Sequence, residues 1–222
     1  MHRILLLTGI IFFIGSASGG DFAVEKDISY LSGEGDGDYA LERCKLDLYL
    51  PKDVKGFATL VWFHGGSIRS GSKDGKIALP VSERFMGEGI AVASVNYRLS
   101  PKAKFPAYIE DCAASVAWVI RNIERSGGDP KRVFVSGHSA GGYLAAMVGM
   151  DPQFLKKHDL SPNDVGGFIP VSGQMITHST VRKERGIPKF QPLIDAAAPV
   201  FFSYLLISNR RGPLVYKKAR RY

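Results

Sequence analysis

The hydrophobic pattern alternates between two periods along this chain. In "CKLDLYLP", Leu46, Leu48 and Leu50 alternate with Lys45, Asp47 and Tyr49, the spacing of a strand with one buried face. "ATLVWFHGG" and "IAVASVNYRLS" are instead continuous apolar runs ending in glycine or polar residues, as strands covered on both sides of a parallel sheet read. Between them, "PVSERFMGEG" starts on proline and stops on glycine, the punctuation of a short crossover helix. From Pro106 to Ser126, the residues Ile109, Cys112, Ala113, Val116, Ile120 and Ile123 recur at helical spacing and form one apolar stripe.

After a turn at "GGDPKR", "RVFVSG" predicts the next strand, and "AGGYLAAMVGM" predicts a helix with no polar face, hence a buried one. "GGFIPVSG" and "VFFSYLLIS" predict two more strands. Pro170 in the first of these cannot donate to a ladder, which weakens that assignment. Strands alternating with helices define an α/β protein with a mainly parallel sheet and right-handed crossover helices.

Length and composition sharpen the picture. The 222 residues, 45 % of them hydrophobic, suit one domain with a sizeable core. The opening "MHRILLLTGIIFFIGSASGG" has a basic start, an apolar run from Ile4 to Ile14 and small residues at Ser16 to Gly19. Residues 1–19 therefore read as a signal peptide, with export to the periplasm or the medium. No later run is long enough to span a bilayer, so no stable membrane span is expected after cleavage. Cys44 and Cys112, one in a predicted strand and one on an apolar helix face, read as two free buried thiols.

A net charge of +8 raises the question of a polyanionic partner, but six of those charges fall in residues 209–222. The body is nearly neutral, and no aromatic and basic platform accompanies the tail. A nucleic-acid partner is not expected.

The candidate chemistry sits where strand meets helix. Gly137, Ser139 and Gly141 form G-x-S-x-G, with His138 and Ala140 between them. A sharp turn there strains the serine backbone and exposes Oγ at a helix N-terminus, where N–H groups favour developing negative charge. Upstream, "FHGGS" ends another buried strand. Acyl transfer creates an oxyanion, and the N–H of Gly65 or Gly66 with that of Ala140 would supply the two donors it needs. His64 reads as a residue that orders this loop.

"HGG", then "NYRLSP" (Asn96 to Pro101), then "GGDPKRVFVSGHSAGG" together resemble the α/β-hydrolase fold. The resemblance is to the carboxylesterase and acetyl-esterase branch that includes feruloyl-esterase-like proteins, over roughly residues 40 to 200. It implies a serine hydrolase acting on small-molecule or polysaccharide-linked carboxylic esters, with no metal and no organic cofactor. It also implies packing and turn roles for Tyr97, Arg98 and Asp129, and a segment from about Gln174 to Pro199 that covers the site.

The pattern breaks after Ser208. The fold supplies its triad in the order Ser, then Asp or Glu, then His, yet residues 209–222 contain no Asp, Glu or His. The hydrolase domain at 20–208 thus reads as lacking its last strand and helix, with the tail translated out of frame. Of the histidines after Ser139, His158 reads as solvent-facing, and His178 would be out of order as a base. Glu184 and Asp195 precede the strand that normally leads to the acid, and Asp195 reads as a helix or turn residue. Three expectations follow: an esterase without its acid and base, a non-catalytic binding protein of the same fold, or an active short enzyme using His178 or a base from a partner chain.

Overall fold

The computed structural model describes residues 13–15, 22–31, 37–76, 78–188 and 190–202. Seven strands form one sheet in the order β1 (Phe13–Gly15), β2 (Phe22–Ser29), β3 (Lys45–Pro51), β5 (Ala91–Val95), β4 (Phe57–Phe63), β6 (Gly128–His138) and β7 (Gly167–Val171). The parallel half expected from the continuous apolar runs is present: β4 pairs in parallel with β5 and β6, and β6 with β7. The strands β1, β2 and β3 add an antiparallel flank.

Every residue of β4 and of β5 is buried, because helices cover both faces. On one side α3 (Ala107–Asn122) and α4 (Ala140–Met150) share a core with Val61, Phe63, Ala93, Val95, Val133 and Val135. On the other, α2 (Ala78–Met86) closes a smaller cluster of Val24, Tyr49, Leu60, Trp62, Met86 and Val92. Each fully buried Leu or Phe in these layers contributes about 1.5–3 kcal/mol relative to exposure. The absence of a polar face on α4 has the reason expected: Ala140 to Val148 are all buried.

Several local expectations change. The alternation in β3 does not leave one face wet. Asp47 and Tyr49 are buried as well as the leucines, because the side chain of Lys73 folds over Asp47 with Nζ 2.8 Å from Oδ1. Cys44 lies outside the strand and caps α1 (Asp38–Arg43), its N–H donating to Ala40 O at 2.7 Å. Both cysteines are free and buried, as expected. The turn at "GGDPKR" is confined to Gly127, at φ 94°, and β6 already starts at Gly128.

Pro170 sits in β7, the outermost strand on that side among the described residues, the kind of position where a sheet tolerates proline. Ile169 and Val171 on this strand are 53 % and 40 % exposed. The strand expected at 200–208 is not formed where it is described, since residues 199–202 are helical; its remainder and the basic tail lie outside the described residues. Of the expected signal peptide, only Phe13–Gly15 is described, as the edge strand β1. No helix among the described residues is long and apolar enough to cross a membrane.

Candidate active site

Register places the site. Phe63 pairs with Gly137 across the parallel β4–β6 ladder, so both chains leave the sheet at the same edge and at the same height. The loop starting at His64 and the turn at Ser139 are therefore neighbours. A Cβ built on Gly65 would lie 3.1 Å from His138 O, 3.5 Å from Ser139 Cβ and 3.7 Å from His138 Nδ1.

Ser139 has φ 57° and ψ −115°, a conformation that costs a non-glycine residue on the order of 1–3 kcal/mol. Two constraints hold it there. Its N–H donates to Val171 O at 2.9 Å, and its carbonyl accepts the first α4 bond, from Tyr143 N at 3.1 Å. Close packing does the rest, since a Cβ on Gly141 would sit 2.0 Å from Phe63 O, and one on Gly137 2.6 Å from the same oxygen. Gly137, His138, Ser139, Ala140 and Gly141 thus form a tight, strained turn from β6 into α4. Ala140 is the first residue of α4, so its N–H belongs to the helix N-terminal set without an intrahelical partner.

The loop beside it is as strained as the elbow. Gly66, Ser67 and Ile68 have φ of 108°, 57° and 60° in succession. Only Gly66 tolerates this freely, and a Cβ there would also fall 2.2 Å from Ser70 O. Ile68 anchors the turn by complete burial, and Gly66 O accepts from Arg69 N at 2.9 Å and Ser70 N at 3.1 Å.

His64 orders this loop, as expected. It is buried and stacked on Tyr97 with ring centroids 4.3 Å apart. Its Nδ1 lies 2.7 Å from Gly65 O; a carbonyl only accepts, so Nδ1 carries the proton. Nε2 then accepts from Arg43 Nη2 at 3.2 Å. Burial pushes the imidazole down to about 4, with the Gly65 carbonyl acting the other way and Arg43 adding to the decrease. Tyr97 also donates its hydroxyl to His64 O at 2.6 Å.

Arg98 and Asp129 have the structural roles expected. Arg98 forks onto Asp111, with Nη2 to Oδ1 at 2.6 Å, and Asp129 accepts from Lys131 N at 2.8 Å.

The segment from Gln174 to Pro199 reaches the site through α6 (Ser179–Glu184), where Thr180 donates its hydroxyl to Ser67 O at 2.5 Å. His178 caps this helix. It is buried against the Tyr143 ring, 4.9 Å between centroids, and its Nδ1 accepts from Thr180 N at 3.1 Å. The neutral ring therefore carries its proton on Nε2, the opposite tautomer from a triad base, which keeps Nδ1–H for its acid and Nε2 for the serine. Burial, then Arg182, push it down to about 4.

His158 is half-buried rather than solvent-facing, in the turn after α5 (Pro152–Lys156), and Arg121 donates to its carbonyl at 2.5 Å. Glu184 accepts from Phe105 N at 3.0 Å and from the Tyr108 hydroxyl at 3.4 Å. Asp195 lies in the expected turn and binds Thr177 Oγ1 and Ala197 N at 2.8 Å each, and Arg185 Nη1 at 2.6 Å. Burial would raise its carboxyl, but these partners outweigh burial and hold it below the usual range. Among the described residues, no histidine is hydrogen-bonded to Ser139 Oγ or paired with a carboxylate.

Two residues without a motif make buried or part-buried contacts that sequence does not announce: Arg43, on His64, and Lys73, over β3, whose Nζ sits 2.8 Å from Asp47 and 3.0 Å from Asp27. Burial would lower the Lys73 ammonium, yet the Asp47 and Asp27 carboxylates outweigh that and raise it.

A strained serine between a parallel strand and a buried helix, next to a glycine loop from the neighbouring strand, is the arrangement of an α/β-hydrolase fold. The chain belongs to the BD-FAE family, whose model matches residues 46–187. It is 33 % identical over 151 residues to the carboxylesterase NlhH of Mycobacterium tuberculosis, covering 67 % of this chain and 43 % of that protein. It is 35 % identical over 150 residues to kynurenine formamidase of Danio rerio, covering 66 % and 45 %. Among solved structures, an esterase of Pyrobaculum calidifontis matches with a TM-score of 0.53 at 25 % identity, over 89 % of this chain and 56 % of that one. A bacterial heroin esterase shares the fold with a TM-score of 0.53 at 23 % identity, over 83 % and 54 %. The chain thus spans less than half the length of the two sequence relatives.

Proposed function

We propose that this chain carries the acyl-transfer centre of a carboxylic ester hydrolase, with Ser139 as nucleophile. Oγ attacks the ester carbonyl as its proton passes to solvent water, the C=O π pair moves onto oxygen, and the Ala140 N–H with that of Gly65 or Gly66 receives the oxyanion. Collapse re-forms the C=O and breaks the bond to the alcohol oxygen, which takes a proton from solvent and leaves as the alcohol. Water then hydrolyses the acyl-enzyme to acid and free serine. The observation that carries this reading is the backbone of Ser139, φ 57° and ψ −115°, held beside Gly65. The family and the carboxylesterase relatives support a carboxylic ester substrate.

On this reading Ser139 is the nucleophile and the loop and helix amides are the oxyanion donors. Among the described residues no histidine is hydrogen-bonded to Ser139 Oγ, so acylation by this chain is expected to be slow. A second reading, a protein that binds esters without turnover, is favoured by the tautomer of His178, whose Nδ1 is committed to the α6 cap.

Turnover of a short-chain p-nitrophenyl ester by the full chain and by Ser139→Ala separates the two. Slow turnover lost in Ser139→Ala supports the esterase. Saturable ester binding with equal, background turnover in both supports the binding protein.

A further inference from the structure

We infer that Arg43 is a positioning residue for the oxyanion loop, acting through His64 and Gly71 on the Gly65 and Gly66 amides. Arg43 ends α1, upstream of the span that matches the family, 46–187. Its guanidinium has three acceptors: Tyr97 O at 3.1 Å, His64 Nε2 at 3.2 Å and Gly71 O at 2.5 Å.

The three acceptors lead to the two successive peptide units between His64 and Gly66, which carry the Gly65 and Gly66 N–H groups. Tyr97 stacks on the His64 ring and donates its hydroxyl to His64 O at 2.6 Å. The His64 ring, fixed at Nε2 by Arg43, donates from Nδ1 to Gly65 O at 2.7 Å. Gly71, at φ 101°, packs so closely that a Cβ on it would lie 2.5 Å from both Gly65 O and His64 Nδ1. One planar fork thus holds the loop at its start, through His64, and seven residues later, through Gly71.

The chemistry of the fork matters. His64 Nε2 is an acceptor only while the ring is neutral with its proton on Nδ1, and that proton is the one bonded to Gly65 O. A guanidinium cannot lose its proton and never competes for the acceptor role, so it selects this tautomer permanently. A lysine ammonium, a single point of charge, cannot span three acceptors spread over two loops.

The inference rests on the reading of Gly65 and Gly66 as oxyanion donors, and its test has one readout that does not. The Nδ1 proton of His64 is followed by NMR in the full chain and in Arg43→Ala and Arg43→Lys, with thermal melting as a control of folding. In parallel, kcat and KM are measured on a p-nitrophenyl ester.

The expected result is a slowly exchanging His64 Nδ1 proton in the parent chain that exchanges rapidly in Arg43→Ala. In that variant kcat falls about 10- to 100-fold, as for a reacting geometry displaced by roughly 1 Å, while KM stays within about twofold. Millimolar ethylguanidine restores both signals in Arg43→Ala, and Arg43→Lys recovers neither fully.

An unchanged Nδ1 proton in a folded Arg43→Ala overturns the inference, as does a lower melting temperature with kcat and the proton both unaltered. If the parent chain turns over no ester, the esterase reading fails, and the Nδ1 proton still decides whether Arg43 holds the loop.

Discussion

Phe63 and Gly137 are register partners in the parallel β4–β6 ladder, and the Phe63 carbonyl also fills the space where either elbow glycine would carry a Cβ. This contact ties the oxyanion loop and the nucleophile turn to one point of the sheet. Strain at Ser139 is thereby supported by packing rather than by a side-chain bond.

Gly141→Ala tests that support. Its methyl would be built 2.0 Å from Phe63 O, a backbone atom with no room to retreat. Overpacking of this kind costs about 1–3 kcal/mol or more, read as a lower midpoint in urea unfolding. Gly37→Ala, where nothing lies within 4 Å of the added carbon, is the control and is expected to shift stability by about 0.5 kcal/mol or less.

Lys73→Met leaves Asp47 buried and without its cation, Asp27 being mostly solvent-exposed. Breaking a buried pair from one side costs about 3–5 kcal/mol, whereas replacing both partners with apolar residues is often near neutral. The double variant Lys73→Met with Asp47→Leu is accordingly expected to recover most of the loss. A double-mutant cycle by denaturant unfolding measures it.

His64 and His178 give the fold a pH dependence with a defined sign. Both are held down to about 4 in the folded chain by burial, against an ordinary value of 6.5. The stability of the neutral buried rings is fully present above pH 6.5. It is lost as pH falls from there through about 4, because the unfolded chain takes up protons first. Each ring accounts for on the order of 3 kcal/mol across that window. In His178→Asn the amide can cap α6 without titrating, so unfolding free energy measured between pH 7 and 4 should show a slope reduced by one histidine.

The same variant tests the base. With Nδ1 accepting from Thr180 N, His178 is not placed as a proton acceptor for Ser139. His178→Asn should keep the turnover of the parent chain within about threefold at pH 7.5, whereas a loss of about 10³-fold or more is the signature of a general base.

Much of this architecture is legible in the sequence because its signals are long or chemically sharp. The runs that became β4 and β5 are apolar at consecutive positions, α3 has an uninterrupted stripe, and Ser139 is bracketed by glycines whose reason is now visible at Phe63 O. β2 has no such signal, since an irregularity between Glu25 and Ile28 and a φ of 56° at Asp27 break its alternation. α1 is six residues inside a polar stretch that reads as loop. Asp47 looks like a solvent position until Lys73, 26 residues away, folds over it. Arg43 is invisible for the same reason: its partners are 21 to 54 residues distant and two of them are backbone carbonyls, which no side-chain pattern announces.

The most direct test of the central claim is intact-protein and peptide mass spectrometry after incubation with a fluorophosphonate. The account predicts a slow adduct, accumulating over hours to one per chain, located on Ser139 and absent from Ser139→Ala. No adduct at Ser139, or labelling that persists unchanged in Ser139→Ala, would contradict it.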